Sequence, residues 1–324
     1  MKIISFSNGT LTILDQRKLP RKIQYAKCRN YSEISSAIKN MAVRGAPAIS
    51  IAAAYGYALG ALSGKEKEAC SALLSSRPTA IDLKNALDFM KKGKGNPISL
   101  ARKWEQSVYE NCRLLGIHGQ KLIPRNAKIM THCNTGPLAV GKYGTALSAI
   151  FFAHKSKKRP FAWVKETRPR FQGALTSWEL KRWGIPHRVI VDSAAAFLMQ
   201  KGEVGLIILG ADRICRNGDF ANKIGTYSLA VLAKAHNIPF YVSAPSSTLD
   251  HSSSSGKDIP IEYRDENEIL KTNGKPAYAK GTKALNPAFD ITPASLVTAY
   301  ITEKGVFRSL DALWKSMKAR SSGQ

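Results

Sequence analysis

Apolar positions in the first third of the chain recur at helical spacing. Ile34, Ala37, Ile38 and Met41 share one face of a predicted helix over residues 31–41. Residues 48–62, rich in Ala and Gly, predict a second helix able to pack closely on a neighbour, and a third is predicted over residues 99–115, after the turn-forming stretch 91–97. Ahead of them, residues 9–16 read as a turn opening a strand. Near Gly116 the pattern changes. Short continuous apolar runs at residues 128–133, 161–164, 188–191, 204–209 and 239–242 alternate with helical stretches at 144–154, 176–183, 194–200 and 224–236. An apolar strand with no polar alternation is buried on both faces, so this part predicts an α/β fold whose parallel sheet carries helices on both sides. Ligands of such sheets bind beyond the carboxyl ends of the strands, which directs attention to the residues after Met130, Val164, Val191, Leu209 and Val242. Residues 250–256, mostly Ser, read as a solvated loop.

Composition sharpens the picture. The chain has 324 residues, 44% of them hydrophobic, enough to bury one large or two ordinary cores. Lys and Arg outnumber Asp and Glu by 49 to 23, a formal charge of +26, which attracts anions without saying which kind. The five Cys (28, 70, 112, 133 and 215) include no Cys-x-x-Cys pair, which favours reduced thiols in a cytoplasmic protein over a disulfide framework or a zinc site. The N-terminus carries charge too early for a signal peptide. Residues 46–62, the longest apolar stretch, are too few to cross a bilayer, so no membrane association is expected.

The strand ends carry the candidate chemistry. Thr131-His132-Cys133-Asn134 places a thiol at the crevice, near helix N-termini that favour a thiolate. On residue type alone, an inert buried Cys and a packed His132 are the commoner outcomes. Residues 136–142 nearly fit a P-loop, but Tyr143 stands where Mg²⁺ needs Ser or Thr and Pro137 removes an amide donor; no Gly-x-Gly-x-x-Gly turn occurs either, so no nucleotide cofactor is expected. Gly210-Ala211-Asp212-Arg213 ends the most apolar strand. A carboxyl there is poorly solvated and suits a general acid, although a helix cap or a salt bridge to Arg213 accounts for it equally well. Residues 222–226 are predicted to open a helix, with Asn222 and Lys223 as a phosphate grip. Arg44-Gly45-Ala46-Pro47, Arg77-Pro78-Thr79 and residues 166–173 are further cation-bearing loops. Together these features suggest chemistry on a small phosphorylated molecule without a metal. Charge alone supports nucleic-acid binding, no recognition motif accompanies it, and a nucleic-acid partner is not expected.

These stretches also carry a resemblance. Val43-Arg44-Gly45-Ala46-Pro47-Ala48-Ile49, Arg77-Pro78-Thr79-Ala80, Thr131-His132-Cys133-Asn134, Glu166-Thr167-Arg168-Pro169-Arg170, Gly210-Ala211-Asp212-Arg213-Ile214, Asn217-Gly218-Asp219, residues 221–227 and residues 286–293 run in family order. The sequence resembles the methylthioribose-1-phosphate isomerases, whose superfamily includes ribose-1,5-bisphosphate isomerase and regulatory subunits of a translation-initiation exchange factor. The resemblance implies conversion of 5-methylthioribose 1-phosphate to 5-methylthioribulose 1-phosphate in methionine salvage, with no cofactor and no metal, by a homodimer. It implies catalytic roles for Cys133 and Asp212, and substrate contacts from Arg44, Gly45, Ala46, Arg77, Gln172, Asn222 and Lys223. It also implies an N-terminal helical/β domain, residues 1–120, and a Rossmann-like catalytic domain, residues 121–324.

Three positions depart from the family pattern. Lys165 stands where Asp is usual, Leu175 follows Ala174 where an Arg usually intervenes, and Asp192-Ser193-Ala194-Ala195 is closer to the ribose-bisphosphate branch. They leave methylthio, deoxy and phosphate open at C5 of the sugar. Ala46-Pro47, Asp212-Arg213 and residues 286–293 side with the methylthioribose branch. The exchange-factor subunits generally lack the paired Cys and Asp, so the presence of both favours an enzyme over a regulatory subunit.

Overall fold

The computed structural model describes residues 2–77, 81–272 and 274–318. Pro78, Thr79 and Ala80 of the second motif lie outside the described residues. An antiparallel meander opens the chain: β1 (Ile4–Ser7), β2 (Thr10–Leu14) and β3 (Tyr25–Cys28). Five helices follow: α1 (Tyr31–Lys39), α2 (Ala46–Leu62), α3 (Glu66–Ser76), α4 (Ile81–Lys92) and α5 (Pro97–Gly119). Asn30 caps α1, its side chain accepting the Glu33 N–H, while the Glu33 carboxylate accepts the Arg29 N–H. α2 is apolar all round and is buried in the middle of the others. Its small residues allow this: Gly60 lies against Ala69 of α3, and Gly56 against Leu73. α5 begins among these helices, with Leu100 and Ala101 buried there, and ends against the next layer, where Gly116 faces the Phe152 ring and Gly119 meets Ala149.

The rest of the chain builds the main sheet. In order come β4 (Lys128–Thr131), α6 (Pro137–Val140), α7 (Ala146–Lys155), β5 (Phe161–Lys165), α8 (Gln172–Trp183), β6 (His187–Ile190) and α9 (Ala195–Gln200). Then come β7 (Leu206–Leu209), β8 (Arg213–Ile214), β9 (Phe220–Lys223), α10 (Thr226–Ala235) and β10 (Phe240–Ser243). A short helix α11 (Asn267–Leu270) and hairpin β11 (Lys271–Thr272)–β12 (Lys275–Pro276) precede β13 (Phe289–Thr292), β14 (Ala299–Thr302), β15 (Gly305–Phe307) and α12 (Leu310–Lys318). The seven-stranded sheet has the order β15-β14-β10-β7-β4-β5-β6 and is parallel except for β15. Alternate residues of β7 feed opposite cores: Ile207 and Leu209 pack with Met130 and Phe240, Leu206 and Ile208 with Ile129 and Val164. Burial on both faces is why the strand reads as unbroken apolar sequence.

The chain starts this sheet at its centre, runs outward through β5 and β6, then returns to build β7, β10 and β14 on the other side. Strand order therefore reverses between β4 and β7, the place where an open parallel sheet leaves a crevice.

Two sequence expectations need correction. Asn222 and Lys223 belong to β9, not to a helix start, because β9 is the middle strand of a small antiparallel sheet, β13-β9-β8. α10 begins only at Thr226, after Gly225 takes a left-handed φ of 96°, and the Asp290 carboxylate from β13 accepts the Gly225 and Tyr227 N–H groups. That partner is distant in sequence and invisible to local pattern. The Ser-rich loop is also less solvated than its composition suggests. Asp250 and Ser253 are buried, Asp250 accepting from the Ser252 and Ser253 hydroxyls.

Candidate active site

The N-terminal helices cover part of the crevice from above, which makes it a half-open cavity. From the sheet side it is lined by Cys133 and Asn134 after β4, Arg170 and Gln172 after β5, and Asp212 and Arg213 after β7. Lys223 on β9, Phe289 on β13 and Arg264 from the loop before α11 belong to the same wall. The helical layer supplies Met41, Arg44, Gly45, Ala46 and Ile49 around the start of α2, Arg77 after α3, and Ile81 and Asp82 from α4. Gly45 shows how tightly the layers meet. Its φ is 93°, and a Cβ there would run into the Ala139 carbonyl oxygen, so only glycine fits.

Cys133 and Asp212, from the two strands flanking the switch point, thus face one cavity. So do Arg44, Gly45, Ala46, Arg77, Gln172 and Lys223. Asn222 does not line it: along β9 its neighbours Ala221 and Lys223 face the cavity, and its own amide donates to Thr226 Oγ1 at 3.0 Å on the other side. His132 is buried, its Nε2 donating to the Ile224 carbonyl at 2.9 Å, and burial holds its pKa down at about 3. It is a neutral packing residue, as residue type alone suggests.

Cys133 adopts a left-handed backbone (φ 63°), sparsely populated for a side chain of this kind. The helix N-termini expected to favour a thiolate do not prevail at Cys133. Burial pushes the pKa up, more than the Lys223 and Arg44 cations pull it down, and α6, the helix just beyond it, spans only Pro137–Val140. Asp212 is less enclosed than its place after an apolar strand suggests, being exposed on the cavity side. Its accessible surface faces the cavity, protein crowds it elsewhere, and burial pushes its carboxyl upward against the pull of Lys223, Arg77 and Arg264. Arg213 does not neutralise it but pairs with Asp250 at 3.3 Å.

The cations are the second half of the site. Burial holds Arg44 down at about 10 and also lowers Arg77, Arg170 and Lys223, and each of these four is depressed further by Arg264. Mutual depression of like charges in a concave space is relieved by an anion, and guanidinium forks match a phosphate. Lys223 is oriented for this, its amine donating to the Ala288 carbonyl at 2.8 Å and lying 4.5 Å from the Phe289 ring centroid.

Arg264, Asp82, Phe289 and Glu179 escaped the sequence analysis. Arg264 and Phe289 sit in segments without strong periodicity, and Asp82 is one acid on an ordinary amphipathic helix. Asp82 is buried in the cavity wall and its carboxyl is pushed up to about 6 by burial, with Asp212 adding to the rise. Glu179 on α8 is buried, pushed up to about 8 by burial, and accepts from the Leu138 N–H and the Asn134 amide at 2.6 Å each. It fixes Asn134 and the start of α6 beside the thiol. Among the described residues, no group of three or more His, Cys, Asp and Glu side chains could hold a metal ion. No helix of the described residues is long and apolar enough to cross a membrane.

Comparison with known proteins gives a consistent picture. Residues 42–309 match the Initiation factor 2 subunit family. A methylthioribose-1-phosphate isomerase of Aquifex aeolicus is 51% identical over 95% of this chain and 69% of that protein. One of Caldicellulosiruptor saccharolyticus is 49% identical over 94% of this chain and 96% of that protein. Among solved structures, the 5-methylthioribose 1-phosphate isomerase of Pyrococcus horikoshii superposes with a TM-score of 0.92 at 40% identity, covering 98% of this chain and 96% of that one. An A. fulgidus protein described as translation initiation factor eIF-2B, subunit delta, superposes with a TM-score of 0.89 at 39% identity, covering 98% and 99%.

Proposed function

The chain belongs to the Initiation factor 2 subunit family and, within it, to the methylthioribose-1-phosphate isomerases, and from this we propose how its cavity works. It converts 5-methylthioribose 1-phosphate to 5-methylthioribulose 1-phosphate, an aldose–ketose isomerisation of methionine salvage. Cys133 and Asp212 are the catalytic residues, and Arg44, Arg77, Gln172 and Lys223 hold the phosphate, with the Gly45–Ala46 backbone closing over the sugar. The observation that carries the assignment is the approach of thiol and carboxyl to one cavity from the two strands flanking the switch point, under a cluster of cations.

The substrate sets the problem. A phosphate on the anomeric oxygen prevents simple opening to a free aldehyde, so the ring oxygen must be protonated as its bond to C1 breaks. Asp212, whose carboxyl its surroundings push upward, supplies that proton. The C1 cation then receives the C2 hydrogen, and the C2 hydroxyl becomes the ketone, returning its proton to the Asp212 carboxylate. Burial pushes the Cys133 thiol up, which disfavours it as a base, and in this proposal the C2 hydrogen crosses to C1 as hydride while the polarisable Cys133 sulfur faces the developing cation. Excluding water protects that cation from attack and keeps the phosphate attached. In D₂O the product therefore acquires no solvent deuterium at C1.

The discriminating assay offers purified protein 5-methylthioribose 1-phosphate, 5-deoxyribose 1-phosphate and ribose 1,5-bisphosphate separately and follows ketose formation by NMR. The methylthio sugar is expected to turn over fastest. Turnover of the bisphosphate alone would reject this substrate, and inertness toward all three would return the chain to the regulatory side of its family.

The protein works as a cytoplasmic homodimer with no nucleic-acid or membrane partner, its domains dividing at residue 120, where α5 has just ended. The cytoplasm suits five unpaired cysteines. Dimerisation has a candidate surface around the β6 edge. Val189 and Val191 are exposed there, as are Phe197 on α9 and Tyr227 and Val231, one turn apart, on α10, which packs on α9. Light scattering at micromolar concentration is expected to give twice the chain mass, and Phe197→Asp with Val231→Asp to give the single mass. A wild-type monomer rejects the dimer.

A further inference from the structure

The reactive thiol sits on a backbone that the chain would not adopt unaided, and the structure shows what holds it there. Cys133 (φ 63°) and Thr167 (φ 61°) are both left-handed non-glycine residues, each two positions beyond the end of adjacent strands β4 and β5. Such conformations persist only when their surroundings enforce them. Here the enforcement is a chain of part-buried hydrogen bonds running across three strand ends. The Cys133 N–H donates to Thr167 Oγ1 at 2.9 Å. The Thr167 N–H donates in turn to Asp192 Oδ1 at 3.0 Å, and the Arg168 N–H to Asp192 Oδ2 at 2.7 Å. Asp192 lies just beyond β6, so β4, β5 and β6 are tied at their carboxyl ends by one relay.

The Thr167 hydroxyl is fully used. It accepts from Cys133, and its proton has two acceptors, the Lys165 carbonyl at 3.1 Å and His132 Nδ1 at 3.4 Å. Nδ1 is free to accept because Nε2 donates to Ile224. On the other side, Thr176 donates to the Cys133 carbonyl at 2.8 Å. Thr167 is fully buried and does not line the cavity, so it touches no substrate and acts only through Cys133.

We propose that Thr167, oriented by Asp192, is a positioning residue that fixes the Cys133 peptide in its left-handed turn and so aims the thiol into the cavity. The proposal rests on Cys133 being the reactive thiol, and it places one member of the relay, Asp192, within the segment that departs from the family pattern. Removing the hydroxyl while keeping the shape (Thr167→Val) leaves the Cys133 N–H without its acceptor in a part-buried place, and the turn relaxes. A small displacement of a reacting group lowers turnover strongly while leaving phosphate contacts intact.

The test compares Thr167→Val with Thr167→Ser. The Val variant is expected to lose about 30- to 100-fold in kcat with KM within about twofold, and Ser to stay within about threefold of wild type, on the scale that misplacement of reacting groups produces. Alkylation of Cys133 by iodoacetate, followed by mass spectrometry without substrate, reports the aim of the thiol directly. It is expected to slow at least fivefold in Val and to be unchanged in Ser, the anion being drawn by the same cations. Should Thr167→Val fail to fold, Asp192→Asn carries the test, with lowered kcat and unchanged KM expected. Wild-type kcat and alkylation in the folded Val or Asn variant, or equal losses in Val and Ser, would overturn the proposal. Full turnover by Cys133→Ser would instead overturn the role of the thiol, and the alkylation rates would still decide whether Thr167 aims it.

Discussion

Cys133→Ser is expected to lose turnover by about a thousandfold or more while still binding 5-methylthioribose 1-phosphate within a few-fold of wild type. The expectation follows from where the sequence puts the residue. β4 is the strand at which the sheet begins, its carboxyl end opens on the switch point, and a left-handed turn directs the next side chain into the cavity. The proposed phosphate grip belongs to other elements, the start of α2, the end of α3, the start of α8 and β9, so a change at residue 133 is expected to leave it intact. A hydroxyl is smaller, less polarisable and better hydrated than a thiol, and it meets the developing cation poorly. Kinetics with isothermal titration of the sugar phosphate separates the two effects. A variant that binds and turns over normally removes Cys133 from the chemistry.

Asp212→Asn is the second large effect, with an expected loss of about 10²- to 10⁴-fold in kcat, the usual range for removing a general acid. The amide keeps the shape and cannot give a proton to the ring oxygen. The pH dependence has a definite sign. A general acid must be protonated to work, so activity holds below its pKa and falls as pH rises through it. Burial pushes that fall above the ordinary carboxylate range. The Glu262 carboxylate adds negative charge near Asp212 and raises its pKa further. In Glu262→Gln the alkaline fall of kcat is expected at lower pH than in wild type. A fall that stays in place would show that the two carboxyls do not communicate.

Much of this could be read from the chain because burial leaves a direct trace. Strands covered on both faces are unbroken apolar runs, as in residues 206–209, and the helices between them follow at regular intervals, so the sheet and its ligand-binding edge were legible. Arg44-Gly45-Ala46-Pro47 likewise announced a helix start, since Gly and Pro each have one conformational use there. What escaped depends on partners remote in sequence. Lys223 lies on a strand only because β13, more than sixty residues on, pairs with β9, and α10 waits for Asp290 from that same strand. Arg264 has no periodic context that marks it. The upward push on the Cys133 thiol follows from how the two layers enclose it, which no spacing of residues encodes. Thr167 was visible in a motif, but its task emerges only when the ends of three strands are seen side by side.

The most direct test is a crystal structure of the Asp212→Asn variant with 5-methylthioribose 1-phosphate bound. The account predicts the phosphate among Arg44, Arg77 and Lys223, the Cys133 sulfur within about 3.5 Å of C1 or C2, and the substituted amide at position 212 within hydrogen-bond distance of the ring oxygen, the separations that near-attack geometry requires. A sugar seated beyond reach of either side chain, or with its phosphate away from those cations, would contradict it.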